Sequence, residues 1–129
     1  MTPAEVTLLL LLAAFQIKHL LADFFWQTPA MLRTKGIWGH PVGASHSAIH
    51  ASLSAAIVAL LTPLSTAWIA AILLGEFVLH YHTDWAKDQV NKRRGYTPRR
   101  KAYWVLVGLD QCAHQLTYVA IVALVMALA

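Results

Sequence analysis

Histidine and acidic residues recur four positions apart in segments otherwise rich in leucine, isoleucine and alanine. His19 and Asp23 lie in HLLADF, and His80 and Asp84 lie in HYHTDW. The same interval separates His46 from His50 and Asp110 from His114. A spacing of four puts both members of a pair on one helical face, one turn apart. Glu76 precedes His80 by four and joins its stripe. Gln16 and Gln27 extend the first stripe, Ser54 the second, and Gln111 flanks the fourth. Imidazoles and carboxylates together are ligands of zinc, iron and manganese. One tetrahedral ion needs about four ligands. A larger set suits a dinuclear centre, with the surplus acting as orienting groups or bases. We therefore expect His19, Asp23, His46, His50, His80, Asp84, Asp110 and His114 as metal ligands. Glu76, Asp110 and His46 are expected to supply the remaining ligand, bridging or general-base positions. Carboxylates buried together without a metal would repel one another, a further reason to expect divalent ions.

The elements that must position these side chains are membrane helices. The chain has 129 residues, 58% hydrophobic and 12% charged. A soluble domain carries about 25% charged residues, so this composition excludes an ordinary water-soluble fold. Four apolar segments run from about residue 3 to 27, 43 to 61, 64 to 85 and 102 to 128. Each is long enough to cross a hydrocarbon layer of roughly 30 Å as a helix. Helix is the expected form, because an isolated strand would leave its backbone unpaired in lipid. Thr2-Pro3 is a helix start, and Thr62-Pro63 is a tight break that makes segments two and three an antiparallel hairpin. The single Cys112 excludes a disulfide framework within the chain and a cysteine-rich zinc site, and reads as a small packing residue. Residues 1 to 17 hold no Lys or Arg, and Glu5 is acidic. The first segment therefore reads as a retained helix rather than a removed signal peptide.

Basic residues set the expected orientation. Apart from Lys18, all of them fall in or beside two longer loops, residues 28–42 and 86–101. Four crossings put both loops on one side. The positive-inside rule makes that side cytoplasmic and leaves both termini outside. The run NKRRGYTPRRK reads as a topology determinant touching anionic headgroups rather than as a nucleic-acid patch. Trp26, Trp38, Trp85 and Trp104 gather at the same boundary, as an aromatic belt does. His40 and His82 read as interfacial. Lys18 points about 100° away from His19 and is expected to snorkel or to pair with a carboxylate. Lys87 follows Asp84 by one turn, within reach of headgroups or an anionic substrate. All four stripes then fall in the cytoplasmic half of the bilayer. Ionisable groups there cost on the order of 2.5–3.5 kcal/mol each on insertion scales, so their gathering in one layer asks for a function.

The pairs also repeat. His19 and Asp23 match His80 and Asp84 at an offset of 61, and His46 and His50 match Asp110 and His114 at an offset of 64. The whole chain, 1–129, is expected to be one transmembrane domain of two hairpin repeats, about 3–61 and 64–128. The hairpins cross in the same sense, giving a pseudo-twofold four-helix bundle. Four helices form a thin shell, so a homodimer is a natural partner state.

The blocks KHLLADFFWQ, HSAIH, EFVLHYHTDWAKDQ and LDQCAH resemble the small bacterial membrane-protein family known as domain of unknown function 3307. That resemblance covers nearly the whole chain and implies the bacterial inner membrane. ASHSAIH is also similar to the Thr-His-Ser segment of bacterial membrane-bound metal-dependent hydrolases, with Ser45 in the place of Thr. This second likeness implies hydrolysis of an anionic or lipid-like substrate. Two alternatives belong to other classes. A metal-ion or proton transporter would use the same acid–histidine chain, but the outer half of the bundle carries little polar lining. A non-haem iron redox enzyme would use the same ligands, although the Glu-x-x-His motif of soluble di-iron bundles is missing. Haem needs only paired histidines without carboxylates, and fits less well.

Overall fold

The structure is a computed structural model that describes residues 1–128, which form helices joined by short loops with no strand among them. Helix α1 spans Pro3–Leu20 and continues into a single π turn, Leu21–Phe25. A short α2 follows at Pro29–Thr34. The long helices α3, Pro41–Leu61, α4, Thr66–Arg94, and α5, Lys101–Leu128, complete the chain. Starts follow local chemistry. Thr2 and Glu5 close a reciprocal capping box with Pro3 in the first turn. Thr28 accepts from the Met31 amide at 3.2 Å ahead of Pro29. His40 caps α3, its Nδ1 accepting from the Val42 amide at 3.2 Å ahead of Pro41. His40, which reads from sequence as interfacial, thus also serves as a helix cap.

Two boundaries differ from the sequence expectation. α4 runs nine residues past Trp85 and ends only at Gly95, whose φ of 61° makes the left-handed stop. Lys, Arg, Gln and Ala in AKDQVNKRR are good helix formers, so the basic stretch continues the helix and the true loop is short. The first segment also stops short of Gln27, because the π turn closes at Trp26, whose amide bonds Leu21 O at 2.9 Å.

The four long helices form a ring in the order α1, α3, α4, α5, each packed on two neighbours. The interior is layered. Leu11, Phe15, Val58, Ile72, Ile121, Val122 and Val125 pack one half as a buried apolar cluster. Tyr118 closes that layer, its ring stacked on Phe15 at 5.5 Å between centroids. Lys18, His19, His46, His50, Glu76, His80, Asp84, Asp110 and His114 fill the other half, all buried. The outer surface is the reverse. Leu9, Ile17, Leu60, Leu74, Val78, Leu79, Val105, Leu116 and Val119 are exposed. Polar groups inside and a continuous apolar coat mark a membrane protein.

Three helices, not the expected four, are long and apolar enough by composition to cross a membrane: Pro3–Phe25, Pro41–Leu61 and Lys101–Leu128. The third sequence segment falls short. Its apolar start is followed by Glu76, His80, His82 and Asp84, so the site residues themselves dilute its hydropathy.

The loop after α2 is tied down over α4. Trp38 sits edge-on to Tyr81, His82 and Trp85 at 5.2–5.4 Å. The Gly39 amide donates to Tyr81 Oη at 2.6 Å, with Gly39 at φ 73°. Gly43 lets α3 approach this loop, since a Cβ there would stand 2.5 Å from Thr34 O. This docking brings Lys35 into the bundle.

Two smaller expectations are corrected. Cys112 is exposed on α5 rather than packed inside. Gln16 is exposed as well, because the face of α1 that continues inward toward α3 and α4 is that of Lys18.

Candidate metal centre

Each of the four helices carries its pair to the same level. On α1 the π turn begins two residues after His19 and contains Asp23. π turns concentrate at functional sites. His19 Nε2 and Asp23 Oδ2 are 3.2 Å apart, and His80 Nε2 and Asp84 Oδ2 are 3.6 Å apart. Across helices, Asp23 Oδ1 lies 3.0 Å from His50 Nε2 and 3.3 Å from His46 Nε2. Asp84 Oδ2 lies 3.5 Å from His46 Nε2, and its Oδ1 3.5 Å from His114 Nε2. Five imidazoles from four helices thus turn the same nitrogen, Nε2, toward two carboxylates. His46 touches both. The rings are close-packed, with 4.0 Å between His50 and His80 and 4.0 Å between His80 and His114.

Two sets of donors have the mutual spacing of ligands: Asp23, His46, His50 and His80, and then His80, Asp84 and His114, with each set within 4.8 Å. Tetrahedral ligands about 2.0–2.1 Å from an ion stand roughly 3.4 Å from one another, so both sets need only a modest contraction. The donor chemistry fits a divalent first-row metal. His80 is common to both sets, and its Nε2 is buried with no hydrogen-bond partner, as is Asp110 Oδ1. A buried lone pair left without a donor is costly, and a cation would satisfy it.

The remaining expected site residues lie around this core. His19 contacts Asp23 but belongs to neither set; its Nε2 also meets Gln111 Oε1 at 2.7 Å. Asp110 Oδ1 is 3.5 Å from His114 Nε2, and Asp110 Oδ2 accepts from Lys87 Nζ at 3.1 Å. Glu76 stands apart from both sets. Its Oε1 pairs with Lys18 Nζ, which also donates to the His50 carbonyl at 3.1 Å and lies over the Tyr118 ring. Lys18 therefore pairs with a carboxylate inside the bundle rather than snorkelling.

Lysines alter the electrostatic argument made from sequence. Glu76 has Lys18, Asp110 has Lys87, and Asp84 has Lys35 at 3.3 Å. The carboxylates are not left to repel one another, as the sequence reading assumed. Asp23 alone has no lysine against it and relies on imidazoles and the Gln111 amide at 3.4 Å. With neutral histidines, four carboxylates face three ammoniums, so the buried cluster keeps one net negative charge. That charge favours a cation near Asp23.

Tyr118, on α5, brings a phenol to the border of the apolar half. Its hydroxyl lies 2.9 Å from His19 Nδ1 and 3.3 Å from His50 Nδ1. A hydroxyl donates only one hydrogen bond, so at most one ring receives its proton. The other must keep its proton on Nδ1 and offer a free Nε2 lone pair. This is the orienting contact that metal-binding histidines make through their second nitrogen. Asp110, His114 and Tyr118 form a run at intervals of four, which could have flagged it. Tyr118→Phe keeps the ring stack and removes the hydroxyl. We expect it to weaken metal affinity about 10–100-fold, measured by competition with a chromogenic chelator. Unchanged affinity would assign Tyr118 to packing alone.

The fold and the site together define a membrane-embedded helical bundle with buried His/Asp clusters that could hold metal ions. The chain belongs to the family described as Protein of unknown function (DUF3307), which matches residues 9–129. Neither a curated protein nor a solved structure matches it.

Proposed function

We propose that this protein is a metal-dependent hydrolase of the bacterial inner membrane, with a dinuclear centre in the cytoplasmic half of the bilayer. The observation that carries the reading is the convergence of five imidazole Nε2 atoms on Asp23 and Asp84. Asp23, His46 and His50 would hold one ion and Asp84 and His114 the other, with His80 available to either. Divalent ions there supply Lewis acidity toward an ester or phosphoester oxygen and lower the pKa of water. Asp110 is the general-base candidate, because it reaches the ligand layer without belonging to either set, whereas His46, within a set, serves as a ligand. Glu76, engaged by Lys18, fits better as a structural charge partner.

In this reading α4 crosses the membrane with the other three helices. Its exposed Leu74, Val78 and Leu79 meet lipid, and its polar face is spent inside the ring. Both termini are then outside and the basic ends of α2 and α4 cytoplasmic. The two offsets in the sequence fit a twofold arrangement, with Asp23 served by His46 and His50 and Asp84 by His114. The buried apolar layer of Leu11, Phe15, Val58 and Ile72 offers no lining for a conduit, which argues against transport. The contact of a phenol with two site imidazoles favours iron-based redox chemistry as the second reading.

Metal analysis of detergent-purified protein separates the two. Zinc or manganese, with cleavage of a chromogenic phosphodiester that chelation abolishes, supports hydrolysis. Iron with no such cleavage supports the redox reading. Protein that holds none of these metals after reconstitution overturns both.

A further inference from the structure

Beside the acid layer lies a cavity of about 190 Å³ between α2, α4 and α5. Lys35 after α2, Lys87 and Asn91 of α4, and Tyr103 and Leu106 of α5 line it. The two lysines face two ways. Lys35 holds Asp84 at 3.3 Å and Lys87 holds Asp110 at 3.1 Å, while both side chains also line the cavity. An ammonium has three donors, and each lysine gives one to its carboxylate. Four N–H donors therefore remain for a ligand. One turn along α4 from Lys87, Asn91 Oδ1 is buried with no partner, an acceptor that lacks a donor. Asp88, also in the wall, is paired with Lys92 at 2.7 Å and leaves the spare donors of Lys35 and Lys87 unengaged.

We infer that this cavity binds a phosphate ester bearing a neighbouring hydroxyl, with the phosphate on Lys35 and Lys87 and the hydroxyl on Asn91 Oδ1. Two ammoniums with spare donors suit a dianionic or monoanionic phosphate, and a lone carbonyl acceptor suits an alcohol. A glycerophosphate headgroup and a free polyol phosphate share this chemistry. The ligand then stands one ammonium away from Asp84 and Asp110. As the seat of a substrate, the cavity rests on the hydrolase reading; as a binding site, it stands without it.

The test uses the full chain in phosphatidylcholine nanodiscs, with metal content read in the same samples. Glycerol 3-phosphate is expected to raise the unfolding midpoint, inorganic phosphate to bind at least about tenfold more weakly, and glycerol to have no effect. Leu106→Trp fills the cavity and should abolish the response without changing metal content. Asn91→Leu should reduce glycerol 3-phosphate to the affinity of inorganic phosphate. In phosphatidylglycerol nanodiscs, loss of the response identifies a lipid headgroup as the occupant, and a retained response identifies a free phosphate ester. Either result supports the site. Equal responses from Leu106→Trp and the parent chain, or no response to any probe in phosphatidylcholine, overturn it. Metal loss in the parent chain with glycerol 3-phosphate binding intact would remove the hydrolase reading and leave the cavity.

Discussion

Replacing Asp23 and Asp84 together by asparagine is expected to remove bound metal while the bundle still inserts. Three imidazole Nε2 atoms lie within 3.3 Å of Asp23, and Asp84 has three within 3.6 Å. Asparagine keeps the shape but replaces an anionic ligand oxygen by a neutral amide, whose N–H can occupy the ring lone pairs a cation would use. Loss of partners that merely orient ligands weakens metal binding about 10–100-fold, so loss of both anionic ligands should exceed that. Asp88→Asn is the control. Asp88 is paired with Lys92 outside both ligand sets, so its change should leave metal content intact. The readout is metal per chain after gel filtration, beside the helical circular dichroism of each variant. Full metal content in the double variant would dismiss these aspartates as ligands.

The second large effect concerns stability. Lys18→Met should destabilise the bundle by about 3–5 kcal/mol, the usual consequence of stranding one member of a buried ion pair. The two side chains are 3% and 0% exposed, and Glu76 Oε2 already lacks a partner. Removing the ammonium leaves a bare carboxylate against the apolar layer of Ile72 and Tyr118. Lys18→Met with Glu76→Leu should recover most of the loss, because paired removal takes away the buried charge itself. Unfolding by a denaturing detergent, followed by tryptophan fluorescence, reports the difference. A single variant as stable as the parent would mean that water or lipid headgroups reach Glu76. Metal content in the double variant checks the site assignment too. If Glu76 is only a charge partner, metal is retained; if Glu76 is a ligand, metal is lost.

Much of the site was legible because helix geometry is local. Any helical segment places residues four apart on one face, so the partners of His19, His46, His80 and Asp110 along their own helices could be read directly. Cap residues worked the same way: Thr2 with Pro3 began α1 where expected. Reading failed where the helix departed from its regular period or where a neighbour intervened. The π turn after Leu20 ended α1 before Gln27. The last nine residues of α4 read as a loop from sequence, because their charges resemble a linker while their helix formers set the conformation.

Taken alone, the amino-acid order determined that several buried stripes of imidazole and carboxylate exist and which residues share each stripe, since the backbone repeat fixes that within a few residues. Only the tertiary structure decided what faces each stripe. It put Lys35 from a loop against Asp84, Lys18 of α1 against Glu76 of α4, and the Tyr118 hydroxyl between His19 and His50. These partners are 32 to 99 residues apart in every cross-helix hydrogen bond that Lys18 and His19 make. No local period encodes such a distance; it is set by which helices pack side by side and at what height.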